Sequence, residues 1–277
     1  MGVSKSEDEF DVFREVVDVL IEVFSNVRYM RFLSDSEKRL LLDGIDCAAS
    51  PVFKREIRGY PQSPLVYHVA SFLTMLMLTG HCPTEQTPRY EMFEEGSYHN
   101  QRITAIEFVR QELIGAAGLW KQWTVSQKAY KLNHILSRLR RRGFLDLLQL
   151  RNTTGSVDRV LVPRHRLIEA CQELNNPPSK LTVCGRALDK HTIRDSSGWW
   201  GQVSGTEEKK NEDGLNKVNQ ILDDAMWINI HELPGSIPTL EVRTAQGHGV
   251  RFDYEPLRFR GFVEPHQTEG WLNRYRH

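Results

Sequence analysis

The sequence predicts an α+β multidomain chain: a helical N-terminal part, a central module of helices and a hairpin, and a small antiparallel β-rich C-terminal part. Three observations carry this. Before Asn175 apolar residues recur three and four apart, the spacing of helices with one greasy face. The turn cluster Asn175-Asn176-Pro177-Pro178-Ser179 then breaks the chain. After Met226 the pattern changes to short runs with polar alternation, separated by turns. A chain of 277 residues favours two or three domains, and we place them at 1–100, 101–176 and 177–277.

From the N-terminus, Glu7 to Phe24 is an amphipathic helix with Phe10, Phe13, Val16, Val17, Leu20 and Phe24 in one stripe. Ser34 and Glu37 have capping-box spacing ahead of Leu40, Leu41 and Leu42. Ser63-Pro64 starts a further helix, with proline in its first turn, and Gly80 ends it. That helix is apolar nearly all round, so it is expected at the centre of the core, with His68 as a hydrogen-bonded core residue. Cys82 to Gln101 is rich in turn residues and reads as an exposed loop, and helical spacing resumes from Ile103 to Ala117.

The segment from Thr124 to Pro163 has the most distinctive pattern. Thr124 and Gln127 form a second capping box. Leu132, Ile135, Leu136 and Leu139 give one apolar face, and Gly143 stands where a left-handed closing residue belongs. Phe144 to Leu150 and Arg159 to Val162 can be two strands around the turn Asn152-Thr153-Thr154-Gly155-Ser156. Helix, strand, turn, strand resembles the winged-helix (helix-turn-helix) superfamily, over about residues 103–174. Between Lys121 and Arg166 eleven cations face only Asp146 and Asp158, so the local charge is 11 − 2 = +9. The chain as a whole is neutral, with 36 basic and 36 acidic residues.

The resemblance and the charge together imply a recognition helix and wing that bind duplex DNA, with DNA favoured over RNA. The expected contacts are Lys128, Lys131, Asn133, His134, Arg138 and Arg142 on the helix, with Arg151 and Arg159 flanking the wing. The alternative is a protein–protein adaptor in which the same module docks an acidic partner.

In the C-terminal part, Leu181 to Cys184 and Gly198 to Val203 read as strand fragments, and Ser204 to Gly214 as a charged loop. Leu215 to Asp224 reads as a short helix. Four strands follow at Met226–His231, Thr239–Thr244, Gly249–Tyr254 and Leu257–Val263, reversing at Gln246-Gly247 and Glu255-Pro256. Alternation puts Glu241, Arg243 and Arg251 on a polar face near His248, a possible anion site; His231, Glu264 and His266 add ionisable groups. An enzyme acting here is a third reading, although one wet face is ordinary for an antiparallel sheet. No phosphate-binding glycine loop, serine-hydrolase elbow or zinc-protease motif is present.

Cys47, Cys82, Cys171 and Cys184 show no CxxC spacing, so no metal and no cofactor is expected. With no secretory signal, an intracellular place, cytoplasmic or nuclear, is expected. Gly2 with Ser6 fits an N-myristoylation pattern without a basic second anchor, which leaves weak membrane contact as a minor expectation. No transmembrane segment is expected, since the apolar run Leu65 to Leu78 is too short to span a bilayer.

Overall fold

The structure is a computed structural model, and it describes residues 5–55, 57–82, 98–194, 197–202, 205–232 and 237–265. Its α-helices are α1 (Lys5–Ser25), α2 (Asp35–Leu42), α3 (Leu65–Thr79), α4 (Tyr98–Leu119), α5 (Val125–Leu147), α6 (Arg164–Cys171), α7 (Val183–Arg194) and α8 (Glu207–Asp223). Four strands follow: β1 (Ala225–Glu232), β2 (Pro238–Thr244), β3 (Gly249–Tyr254) and β4 (Leu257–Val263), joined as an antiparallel meander in the order β1-β2-β3-β4. No described helix is long and apolar enough to cross a membrane. Gly2, His266 and most of the Cys82–Gln101 segment lie outside the described residues.

The N-terminal half packs as its periodicity requires. Helix α3 is central, with α1 on one side and α4 on the other, and α5 lies against both α1 and α4. The core includes Phe13, Val16, Leu20, Leu65, Val69, Phe72, Leu113, Leu132 and Leu136, all essentially inaccessible. Both capping boxes form: Ser34 with Glu37 and Thr124 with Gln127. Gly80 closes α3 at φ 70°, which only a residue without a Cβ adopts freely. His68 is half-buried beside Gln149, and burial pushes its pKa down to about 4.

The central module differs from the expectation. Helix α5 does not end at Gly143 but runs to Leu147, and its break is at Arg140, at φ 56°. Gly143 lies inside the helix, where an added Cβ would come 3.1 Å from Leu139, so this glycine serves close packing and not closure. The wing is not built. Instead of pairing with each other, the segments around Leu150 and Ser156 run along the outer edge of β1. The Arg151 amide donates to the Ile228 carbonyl at 2.7 Å, the Val157 amide to Ile230 at 2.8 Å, and the Glu232 amide to Gly155 at 3.0 Å. An open sheet edge needs backbone partners, and β1 supplies a better ladder than a short self-paired hairpin.

The C-terminal strands fall where alternation places them, but the segment before them does not. Leu181 to Cys184 leads into α7, Gly198 to Gln202 is a turn, and most of Ser204 to Gly214 belongs to α8. Thr206 caps α8, and Glu207 and Glu208 sit in its first turn, where the helix dipole favours anions. The two helices cross at Gly185 and Gly214. A Cβ on Gly214 would lie 2.7–2.8 Å from the backbone of Cys184 and Gly185, so this contact accepts only glycine. Helix α8 covers the apolar face of the sheet, made by Ile228, Ile230, Leu240, Val242, Val250 and Phe252. None of the four cysteines forms a disulfide.

Candidate active site

The opposite face of the sheet is polar because side chains alternate along each strand. Register places Asn229 of β1, Glu241 of β2 and Arg251 of β3 side by side, with Trp227 beside Arg243 one pair along. Glu241 is fully buried, and its carboxylate gathers three partners. Arg243 Nε and Arg251 Nε donate to it, the latter at 2.8 Å, and His231 Nε2 lies 2.9 Å away. Burial alone would raise the Glu241 pKa. The His231 hydrogen bond and the Arg243 and Arg251 charges outweigh it and hold the carboxyl well below its usual range. Glu241, Arg243 and Arg251 therefore converge as their alternation implies.

Arg243 extends this network to one end of the sheet. It is almost inaccessible, and its Nη1 donates to the carbonyls of Gly247, at 2.5 Å, and Glu264, at 2.8 Å. It thereby ties the β2–β3 turn to the chain just after β4. His248, in that turn, is thus not part of the Glu241 cluster but of a second one. Here His191 Nδ1 lies 2.8 Å from Glu264 Oε1 and His248 Nε2 lies 3.9 Å from Glu264 Oε2. Trp200 Nε1 donates to both oxygens of Glu264 at 2.8 and 2.9 Å. Trp199 stacks flat on His248 with ring centroids 3.9 Å apart. Lys217 of α8 places its ammonium 4.3 Å from the Trp199 ring centre, and burial lowers its pKa.

Burial would raise the Glu264 pKa, but the hydrogen bonds from His191 and Trp200 and the two imidazole charges bring it down. The result is one ionised carboxylate hydrogen-bonded to the half-buried His191 and close to the buried His248, with an ammonium and two indoles in the same corner. Such a pair can move protons on both sides of a reacting group. Among the described residues no three His, Cys, Asp or Glu side chains converge as metal ligands would.

Most of the cations expected as nucleic-acid contacts are paired with acids or backbone carbonyls within the chain. Lys128 is buried and pairs with Glu15 of α1 at 2.5 Å. Lys131 pairs with Glu112 of α4 at 2.8 Å, and Arg138 pairs with the same carboxylate while lying 4.0 Å from the Phe108 ring. Arg142 is held by Asp146 at 2.9 Å and Asp158 at 3.0 Å. Arg151 is buried and donates to the Met226 carbonyl at 3.0 Å. Asn133 accepts from the Met30 amide, and His134 is half-exposed with its ring 3.9 Å from Glu112. Arg159 is exposed. Glu15 of α1 and Glu112 of α4, distant in sequence, pair with three cations of a helix that looks unpaired when read alone.

A family model described as the CdiA C-terminal tRNase toxin domain matches residues 172–264. No curated protein and no solved structure matches the chain. The matched segment is about a third of the chain. It begins at the end of α6 and stops at Glu264, so it holds α7, α8, the whole sheet and both polar clusters. A match to a nuclease toxin family overturns the winged-helix resemblance and the readings drawn from it. Duplex-DNA binding, the preference for DNA over RNA, and the adaptor alternative are all corrected by it. Alternation along the strands sets Glu264 near the sheet without a partner, and it does not group His191, Trp199, Trp200 and Lys217. His191 is hidden because α7 does not read as a helix; a helical His followed by Trp199-Trp200 is the available signal.

Proposed function

We propose that this chain is an RNA-cleaving toxin acting on tRNA, with its chemistry in residues 172–264. The single observation that carries the reading is structural: within the segment similar to a tRNase toxin domain, His191 and His248 stand at 2.8 and 3.9 Å from the two oxygens of one carboxylate. RNA carries its own nucleophile, the 2′-hydroxyl. One imidazole takes the 2′ proton as O2′ attacks phosphorus, and the P–O5′ bond breaks. The other imidazole, protonated, gives its proton to the leaving 5′ oxygen. The products are a 2′,3′-cyclic phosphate and a 5′-hydroxyl, with atoms and charge in balance.

Glu264 orients His191 through its hydrogen bond and stabilises whichever imidazole is protonated, as the carboxylate does in a Ser-His-Asp triad. Lys217 brings positive charge to the same corner for the phosphorane. Arg251 on the sheet face offers a further cationic contact to the RNA backbone and His231 a further polar one, with Glu241 and Arg243 fixing their place. DNA lacks the 2′-hydroxyl and is not a substrate of this reaction.

The test is incubation of the full chain with tRNA, and with DNA of matched length. His191→Ala and His248→Ala should each slow tRNA cleavage by about 10²–10⁴-fold while both variants keep the wild-type circular dichroism. Folded variants with undiminished cleavage would remove these residues from the reaction.

A further inference from the structure

Outside the sheet's polar clusters, three side chains from separate parts of the N-terminal half and α6 line up. Ser63 Oγ lies 3.1 Å from His165 Nδ1, and His165 Nε2 lies 3.2 Å from Asp43 Oδ2. Asp43 follows α2, Ser63 precedes α3 and His165 is in the first turn of α6. All three are partly exposed. An imidazole between a hydroxyl and a carboxylate is the arrangement that activates a serine nucleophile. A carboxylate 3.2 Å from Nε2 favours the proton on that nitrogen, which leaves Nδ1 unprotonated toward the hydroxyl. Arg166 Nε also donates to Asp43 at 2.6 Å, which fixes the carboxylate. Helix α3 begins two residues after Ser63 with no side-chain cap, so the positive end of a 15-residue helix adjoins the hydroxyl.

The surroundings point to a substrate class. Asp43, His165 and Arg166 line a cleft with Glu169, Glu173 and Leu257. Three carboxylates against one guanidinium make this cleft acidic, with Leu257 as an apolar contact. It favours a cationic ligand over a phosphate.

We propose that Ser63, His165 and Asp43 form a second, hydrolytic site that cleaves esters whose acyl group carries a positive charge, amino-acid esters being the simplest. Ser63 Oγ attacks the carbonyl carbon as its proton passes to His165 Nδ1. The ester C–O bond breaks, and the leaving alcohol takes that proton. Water then attacks the acyl-serine, giving up its proton through His165, and releases the amino acid and Ser63. The three residues lie outside the segment similar to the tRNase domain, and their chemistry is independent of the nuclease reading.

The probes are a fluorophosphonate and the nitrophenyl esters of lysine and of acetic acid, used with the full chain. The expected result is a phosphonyl adduct mapped to Ser63 by peptide mass spectrometry, absent in His165→Ala. Lysine-ester turnover should exceed that of the acetate and fall at least about 100-fold in Ser63→Ala and His165→Ala. Cleavage of tRNA by Ser63→Ala should be unchanged, which also reports that the variant is folded. No adduct on Ser63 in the wild-type chain, or ester turnover equal in wild type and Ser63→Ala, overturns the proposal. Equal turnover of the two esters overturns the assigned substrate class.

Discussion

Glu241→Gln removes one charge and little volume, and its cost is set by how deeply each of its partners is buried. The carboxylate is 1% exposed and forms an ion pair with Arg243, itself 3% exposed, while Arg251 and His231 are 17% and 16% exposed. Arg251 and His231 can recover water when the charge is lost. Arg243 cannot, so its buried guanidinium loses the anion against its Nε, a change that costs about 3–5 kcal/mol. At about 2–4 °C per kcal/mol for a chain of this order of size, the melting temperature should fall by roughly 6–20 °C. The pH dependence has a definite sign. Glu241 has its pKa depressed in the folded state, so its contribution is present above its ordinary value of 4.5 and is lost as pH falls through the lower folded value. Thermal and urea unfolding between pH 7 and pH 3 would measure both effects, and the acid-side slope should flatten in the Gln variant. A loss under about 1 kcal/mol at pH 7, or an unchanged slope, would refute the claim that this carboxylate holds the sheet face together.

Three further substitutions and one control test named positions. Arg142→Glu opposes the buried Asp146 and the nearby Asp158, and should destabilise the fold by about 3 kcal/mol or more in a urea titration. His68 has its pKa pushed down to about 4, so its contribution is full above about 6.5 and is lost as pH falls toward 4; His68→Gln should remove that part of the stability–pH slope. Gly214→Val forces a side chain into the backbone of α7 and should disrupt the α7–α8 pair, seen as lost helical circular dichroism and lost tRNA cleavage, whereas Gly198→Ala, where a Cβ meets nothing, should cost about 1 kcal/mol from its left-handed backbone alone.

How much of the fold was legible in the sequence depends on the range of the interactions involved. The amphipathic stripe of α1, the capping boxes at Ser34 and Thr124 and the closure at Gly80 are local, and each was legible. So were the four strands, because alternation and the turns at Gly247 and Pro256 act over a few residues. The wing failed because Leu150 and Ser156 had a non-local alternative, the edge of β1. The pairing of the basic helix was hidden for the same reason: Glu15 and Glu112, which pair with Lys128, Lys131 and Arg138, come from α1 and α4. Helix α8 was obscured by its charge, since SGTEEKKNEDG reads as a solvated loop until Thr206 is recognised as a cap. On the sheet, alternation put Glu241, Arg243 and Arg251 on one face, and the structure brings these three side chains together. His248 stands apart from them beside Glu264, because a turn residue follows no alternation and that carboxylate lies beyond the last strand.

That two imidazoles on Glu264 make RNA attack itself through its 2′-hydroxyl is tested most directly by mass spectrometry of the 3′ ends left on cleaved tRNA. The predicted result is 2′,3′-cyclic phosphate ends from the wild-type chain, with no cleavage of tRNA whose 2′-hydroxyls are methylated. Fragments ending in 3′-hydroxyl and 5′-phosphate, or cleavage of the methylated tRNA, would contradict it.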